Sequence, residues 1–175
     1  MKSILSALIF LVATFSVSLS AQQIDLANSI VNFSIGNMKV NTVKGTFTGM
    51  KGEGHVQKDK LSSTSFNVCV DASTVNTGLE KRDHHLKTVD FFNVEKFPTI
   101  CFVSTQVVKT DAGYMAKGDL TMHGVSRPVE IPFTLENNTL TGSISVSRYD
   151  YEVGKDTGTF MVSKDVDIEI ICVLK

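Results

Sequence analysis

Asp156-Thr157-Gly158-Thr159 reproduces the active-site sequence of an aspartic protease. That chemistry needs two such carboxylates sharing one proton. This chain holds one copy, preceded by Gly154-Lys155 rather than by an apolar strand, and Asp-Thr-Gly is ordinary turn composition, so a turn is expected here. The four histidines are His55, His84, His85 and His123; none stands in H-E-x-x-H or another metal-ligand spacing. His84 and His85, as neighbours, would point to different sides of a helix. There is no G-x-S-x-G elbow to present a serine nucleophile, no phosphate-cradling G-x-x-x-x-G-K-[ST] loop, and no G-x-G-x-x-G after a strand. No catalytic residue, metal or cofactor is assigned, and the protein is expected not to be an enzyme.

The elements that would position any site follow from alternation with period two. Val31, Phe33 and Ile35 alternate with Asn32, Ser34 and Gly36, and Phe66, Val68 and Val70 alternate with Asn67, Cys69 and Asp71. The same pattern recurs through Tyr114–Met122, Val129–Leu135, Leu140–Val146 and Val166–Cys172. Each such run is a strand with one apolar and one polar face. Short polar breaks at Lys58-Asp59-Lys60, Thr110-Asp111-Ala112-Gly113 and Asn137-Asn138 fit antiparallel hairpins. The expected strands are eight, at about 27–36, 43–56, 64–77, 98–109, 113–122, 127–136, 139–148 and 163–174. The fold class is therefore all-β, an eight-stranded antiparallel up-and-down barrel whose closure removes exposed edges. A two-sheet sandwich would show a similar pattern. Gly78–Phe97 breaks the rhythm and reads as a short helical connection across one end of the barrel, stopped by Pro98. Asp90 is expected to cap a second short turn carrying Phe91, Phe92 and Val94.

Lys2, the apolar run Ile4–Val17 and the small residues Ser18 and Ser20 form an export leader over 1–20, with a cut before or just after Ala21. Residues 21–175 are then one domain with one core. Seventeen Lys and Arg stand against eighteen Asp and Glu, a net charge of −1. Such a balance gives no footprint for nucleic acid. No run after the leader reaches the ~20 apolar residues of a membrane-spanning helix, so the mature chain is not expected to be integral to a membrane. Export to a periplasmic or extracellular space permits a disulfide. Cys69 lies between the inward Val68 and Val70, and Cys101 between Ile100 and Phe102. Both are expected outward on neighbouring strands and paired, provided their Cα atoms come within about 7 Å. Cys172 shares phase with Ile168 and Ile170 and is expected inward as a free thiol.

Phe33, Phe47, Phe66, Phe102, Tyr114 and Phe133 fall on the apolar strand faces, and Phe91 and Phe92 lie in the helical connection. An eight-stranded barrel has room either to be filled by such side chains or to hold one small ligand, and alternation does not choose between the two.

Further motifs span nearly all of the mature chain. They are Val31-x-Phe33; Gly45-Thr46-Phe47; Asp71-Ala72-Ser73-Thr74-Val75-Asn76-Thr77-Gly78; Arg82-Asp83-His84-His85-Leu86; Asp90-Phe91-Phe92; Phe97-Pro98; and Gly118-Asp119-Leu120-Thr121-Met122-His123-Gly124. Arg148-Tyr149-Asp150-Tyr151 follows, with Glu152 and Val153 standing before Gly154. With these motifs the chain resembles the YceI-like polyisoprenoid-binding family. The resemblance implies a lipocalin-like barrel with an apolar tunnel, a polyprenyl or similar long-chain lipid as ligand, and no catalytic residues. It also favours Arg82, Asp83 and His85 as a cluster bracing the connection against the barrel rim, with Asp119 or His123 as partners. Two other readings stand beside the lipid carrier: an enzyme on the same scaffold acting on an apolar substrate, and a solid-core barrel serving as an interaction module. The oligomeric state is left open.

Overall fold

A strand with one apolar face must bury that face, and a sheet curled into a ring does so against itself. The computed structural model describes residues 22–57 and 60–175; the leader expected over 1–20 lies outside them. The strands are β1 (Gln22–Gln23), β2 (Ile30–Asn37), β3 (Asn41–Phe47), β4 (Lys51–His55), β5 (Ser65–Asp71), β6 (Thr99–Thr110), β7 (Gly113–Met122), β8 (Val125–Glu136), β9 (Thr139–Ser147) and β10 (Val162–Val173). Among the described residues one α-helix, α1 (Glu80–Lys87), lies between β5 and β6. The ladder order is β1-β4-β5-β6-β7-β8-β9-β10-β2-β3. β10 runs antiparallel to β2 from Ile171 opposite Ile30 to Val162 opposite Asn37, which joins the last strand to the first long one.

The count differs from the expected eight, and the reason is local. The run expected at 43–56 is two strands: β3 pairs with β2, whereas β4 pairs with β5. The chain changes partner at Thr48-Gly49-Met50, with Gly49 at φ 67°. Gly52 then sits at φ 127°, where a Cβ would lie 2.0 Å from the Asn67 carbonyl oxygen, so only glycine fits the bend. The two-residue β1 was not foreseen. Taking β3 and β4 as one bent run, the chain travels the ring in sequential order and the barrel class holds.

Antiparallel order sorts the connections into two ends. The β6–β7 and β8–β9 hairpins lie at the base, as do residues 56–57 and 60–64. The β2–β3 turn, the β7–β8 turn, the connection with α1 and the segment 148–161 lie at the opposite end. Asn137 and Asn138 take φ 47° and 62°, the left-handed pair of a tight hairpin. Asp156–Thr159 is a turn as well, with Thr157 N–H donating to Gly154 C=O at 2.9 Å and Met161 N–H to Gly158 C=O at 3.0 Å.

Cys69 and Cys101 stand directly opposite each other on β5 and β6 and are joined in a disulfide. They share the outward phase of Asn67 and Val103, two residues below the stems of the connection at Asp71 and Thr99. Cys172 is free and buried. A cross-link spanning 32 residues removes enough unfolded-chain freedom to contribute about 3–4 kcal/mol. Reduction, or Cys69→Ala with Cys101→Ala, should lower unfolding free energy in urea by about 2–4 kcal/mol. A midpoint unmoved by reductant would contradict that role.

Candidate functional site: an apolar cavity along the barrel axis

The inward phase of every long strand converges on the axis, but the side chains do not fill it. Ala116 on β7 and Gly142 on β9 occupy inward positions with almost no volume. A cavity of about 500 Å³ remains, within the ~300–1,000 Å³ range of small-molecule sites. Phe33, Phe47, Phe66, Phe91, Phe92, Phe102 and Phe133 all line it. Tyr114 does not; its ring stacks on Phe133 at 5.4 Å and 21°. Alternation placed Tyr114 on the right face, but it stands one residue from the β6–β7 hairpin, too near the base to reach the open part. Phe133 in turn meets Phe66 edge-on at 5.5 Å. With the buried Ile24 and Leu174, these rings seal the base.

The other end is built by the connection. Phe47 touches Phe33 at 5.4 Å and Phe92 at 5.3 Å, so the Phe92 ring extends the β2–β3 wall across the end of the barrel. Phe91 is buried beneath the His85 ring at 5.1 Å. His85 Nε2 pairs with Asp90 Oδ2 at 3.0 Å, so Asp90 fastens α1 rather than capping the next turn.

Arg82 and Asp83 both converge on Thr77, a partner that was not foreseen. Asp83 accepts from Thr77 N–H at 2.8 Å and from the Thr77 hydroxyl. Arg82 donates from Nε to Thr77 Oγ1 at 2.7 Å and from Nη2 to Thr77 C=O at 3.0 Å. The neighbouring Asn76 exchanges backbone hydrogen bonds with Thr46 of β3 at 2.9 and 3.0 Å, which ties the cluster to the barrel wall. Asp119 and His123 lie elsewhere. Asp119 has the outward phase of β7 opposite Pro128 and is exposed. His123 turns the chain at φ 52° with its ring against Phe97 at 4.7 Å.

Arg148 is the residue that sequence reasoning missed. It lines the cavity and is buried. Nε donates to Ser163 C=O at 2.9 Å, Nη1 to Val153 C=O at 3.0 Å and to Gly154 C=O, and Nη2 to Val162 C=O and Tyr149 OH at 3.0 Å and to Thr157 C=O. One guanidinium thus gathers five carbonyls between Val153 and Ser163, with the Tyr149 ring 4.1 Å away. The available signal was phase: Arg148 continues the inward series Ile144 and Val146. Glu152, at φ 57°, takes a left-handed position two residues ahead of Gly154, which is also left-handed at φ 57°.

The wall's strongly polar groups, Arg82, His85 and Arg148, all stand at the α1 end, and no carboxylate lines the cavity among the described residues. Deeper in, burial pushes the Cys172 thiol up to about 11, so it is neutral at physiological pH. Among the described residues no three or more His, Cys, Asp or Glu side chains gather as a metal site.

A sequential antiparallel ring around an apolar cavity defines the class: a lipocalin-like barrel. The YceI-like domain model matches residues 22–174, and the chain belongs to that family. A UPF0312 protein of Yersinia enterocolitica is 31% identical over 141 residues, 81% of this chain and 71% of its own length. A UPF0312 protein of Vibrio vulnificus is 32% identical over 106 residues, so the chain spans 56% of that relative's length. BcnA of Burkholderia cenocepacia superposes with a TM-score of 0.78 at 24% identity, over 87% of this chain and 99% of its own. A polyisoprenoid-binding domain from Saccharophagus degradans superposes with a TM-score of 0.66 at 15% identity, over 89% of this chain and 98% of its own. Both superpositions establish the fold.

Asp83→Ala leaves the Thr77 N–H and hydroxyl short of their acceptor, which should cost about 1–3 kcal/mol. Amide exchange across 78–97 should accelerate in step. An unchanged melting curve with unchanged exchange would show that the cluster braces nothing.

Proposed function

We propose that this protein binds a long-chain isoprenoid, or a lipid of comparable shape, and carries or sequesters it in an exported compartment. The observation that supports this most is the cavity wall: apolar side chains from nearly every strand, with the polar groups confined to one end. Such a wall suits a chain-like apolar tail inserted toward the base, with any head group left beside Arg82, His85 and Arg148. The Saccharophagus degradans relative in fold, described as polyisoprenoid-binding, favours the same cargo. The disulfide and the leader-like run Ile4–Val17 favour export to the periplasm or beyond.

The energetics favour length. A buried methylene contributes about 0.8 kcal/mol, so a five-carbon unit contributes roughly 3–4 kcal/mol. Association costs ~4–15 kcal/mol in lost freedom. Several units must therefore enter before binding is useful, and selectivity follows cavity length. Catalysis would need ionisable groups converging on the bound tail. Arg82, His85 and Arg148 are engaged at the α1 end in holding the connections together, and the deeper Cys172 thiol is held neutral by burial, which favours carriage over turnover.

Delipidated protein titrated with isoprenoids of increasing length should bind with rising affinity until the cavity is full. The heat-capacity change should be negative and the salt dependence slight. Phe133→Glu should abolish binding while far-UV circular dichroism reports a retained barrel, and Phe92→Ala should change affinity or release rate. A folded barrel that binds no length of isoprenoid would overturn the reading in favour of the interaction module.

A further inference from the structure

Cargo that fits an apolar cavity is held by membranes rather than by water, so the surface around the entrance matters. Of the cavity-lining residues, three are exposed: Met38, His85 and Met161. All three stand at the α1 end, which places the mouth between α1, the β2–β3 turn and the segment before β10. Exposed large apolar side chains scattered singly are normal on a protein surface. Here four are gathered in two turns on one side of the mouth. Met38 and Val40 are 46% and 83% exposed, and Phe160 and Met161 are 64% and 45% exposed. Met38 N–H donates to Met161 C=O at 3.1 Å, so the two turns form one lip. Lys39 reaches over the Phe160 ring, its Nζ 5.7 Å from the centroid.

We propose that this lip docks on a lipid bilayer, with Val40 and Phe160 entering the boundary between head groups and acyl chains and Lys39 at head-group level. The occupant follows from continuity. Met38 and Met161 belong both to the cavity wall and to the lip, so the apolar wall continues into the turns that carry Val40 and Phe160. Only another lipid phase extends that wall. An aromatic ring paired with a lysine is the usual composition of an interfacial anchor. The charge nearby is balanced, with Lys155 paired to Glu152 at 3.5 Å, so a zwitterionic surface suffices and salt has little effect. Seated this way, the mouth faces the bilayer and cargo passes between the two without crossing water. This rests on the lipid-carrier reading, but Val40 and Phe160 do not line the cavity, so the two are separable.

The test is flotation of the mature full-length chain with phosphatidylcholine vesicles, together with transfer of a fluorescent isoprenoid from those vesicles. Cargo affinity is measured separately, with isoprenoid delivered from cyclodextrin. Val40→Ser with Phe160→Ser should reduce flotation and transfer rate at least tenfold and leave the cyclodextrin-delivered affinity unchanged. Leu26→Ser, an exposed apolar residue near the base, should change neither. Wild-type protein that does not float, a double variant that floats and transfers like wild type, or equal loss on Leu26→Ser would each overturn the proposal. So would a concentration-dependent dimer, seen by sedimentation without vesicles and abolished by Phe160→Ser, since the lip would then belong to a second copy. Failure to take up isoprenoid from cyclodextrin, with flotation intact, would overturn the carrier reading alone.

Discussion

Closure of the strand ring through β10 and β2 is the constraint on which the rest depends. Once Val162 stands opposite Asn37 and Ile171 opposite Ile30, the period-two phase of every strand is locked. A slip of one residue would turn the apolar faces outward around the whole barrel. The inward residues then share one axis, and their summed volume decides whether that axis is solid or hollow. Ala116 and Gly142 leave it hollow. The same closure forces the chain to switch partners at Thr48–Met50, because the run that finishes one ladder must begin the next.

A hollow of this kind makes a demand of its own. At roughly 24 cal/mol per Å³, a dry void of about 500 Å³ would cost about 12 kcal/mol, as much as the entire net stability of a domain at about 5–15 kcal/mol. Water is a poor filler, since a buried water needs about two to four polar partners and the wall offers them chiefly at the α1 end. An apolar ligand relieves the void and loses its own contact with water in one step. The disulfide, the Thr77 cluster and Arg148 can be understood in that light. Each stiffens the rim of a barrel whose interior contributes less packing than a solid core would.

Most of the strands were legible in the sequence because each keeps a solvent face, and the polar phase marks it residue by residue. The switch between β3 and β4 was not, because Thr48-Gly49-Met50 carries no polar cluster and the need for it arises only when the ring closes. Cys69 and Cys101 were legible as outward neighbours, since phase and strand order together specify them. Tyr114 shows the limit of phase, which reports the face of a strand but not the height along the barrel. The brace at Asp83 was sought across the fold at Asp119 and His123, whereas its partner Thr77 lies six residues back in the chain. Whether the barrel was hollow could not be read at all, because it depends on volumes meeting across the axis from strands far apart in sequence.

In the native protein the cavity should be occupied by a long apolar lipid. Protein purified from its native exported fraction without detergent can be extracted with organic solvent and the extract analysed by mass spectrometry against the protein's concentration. The extract should hold a long-chain isoprenoid, or a lipid of similar length, at close to one per chain, lost in parallel when Phe133→Glu protein is extracted. A folded native protein whose extract holds no lipid above the level of that variant would contradict it.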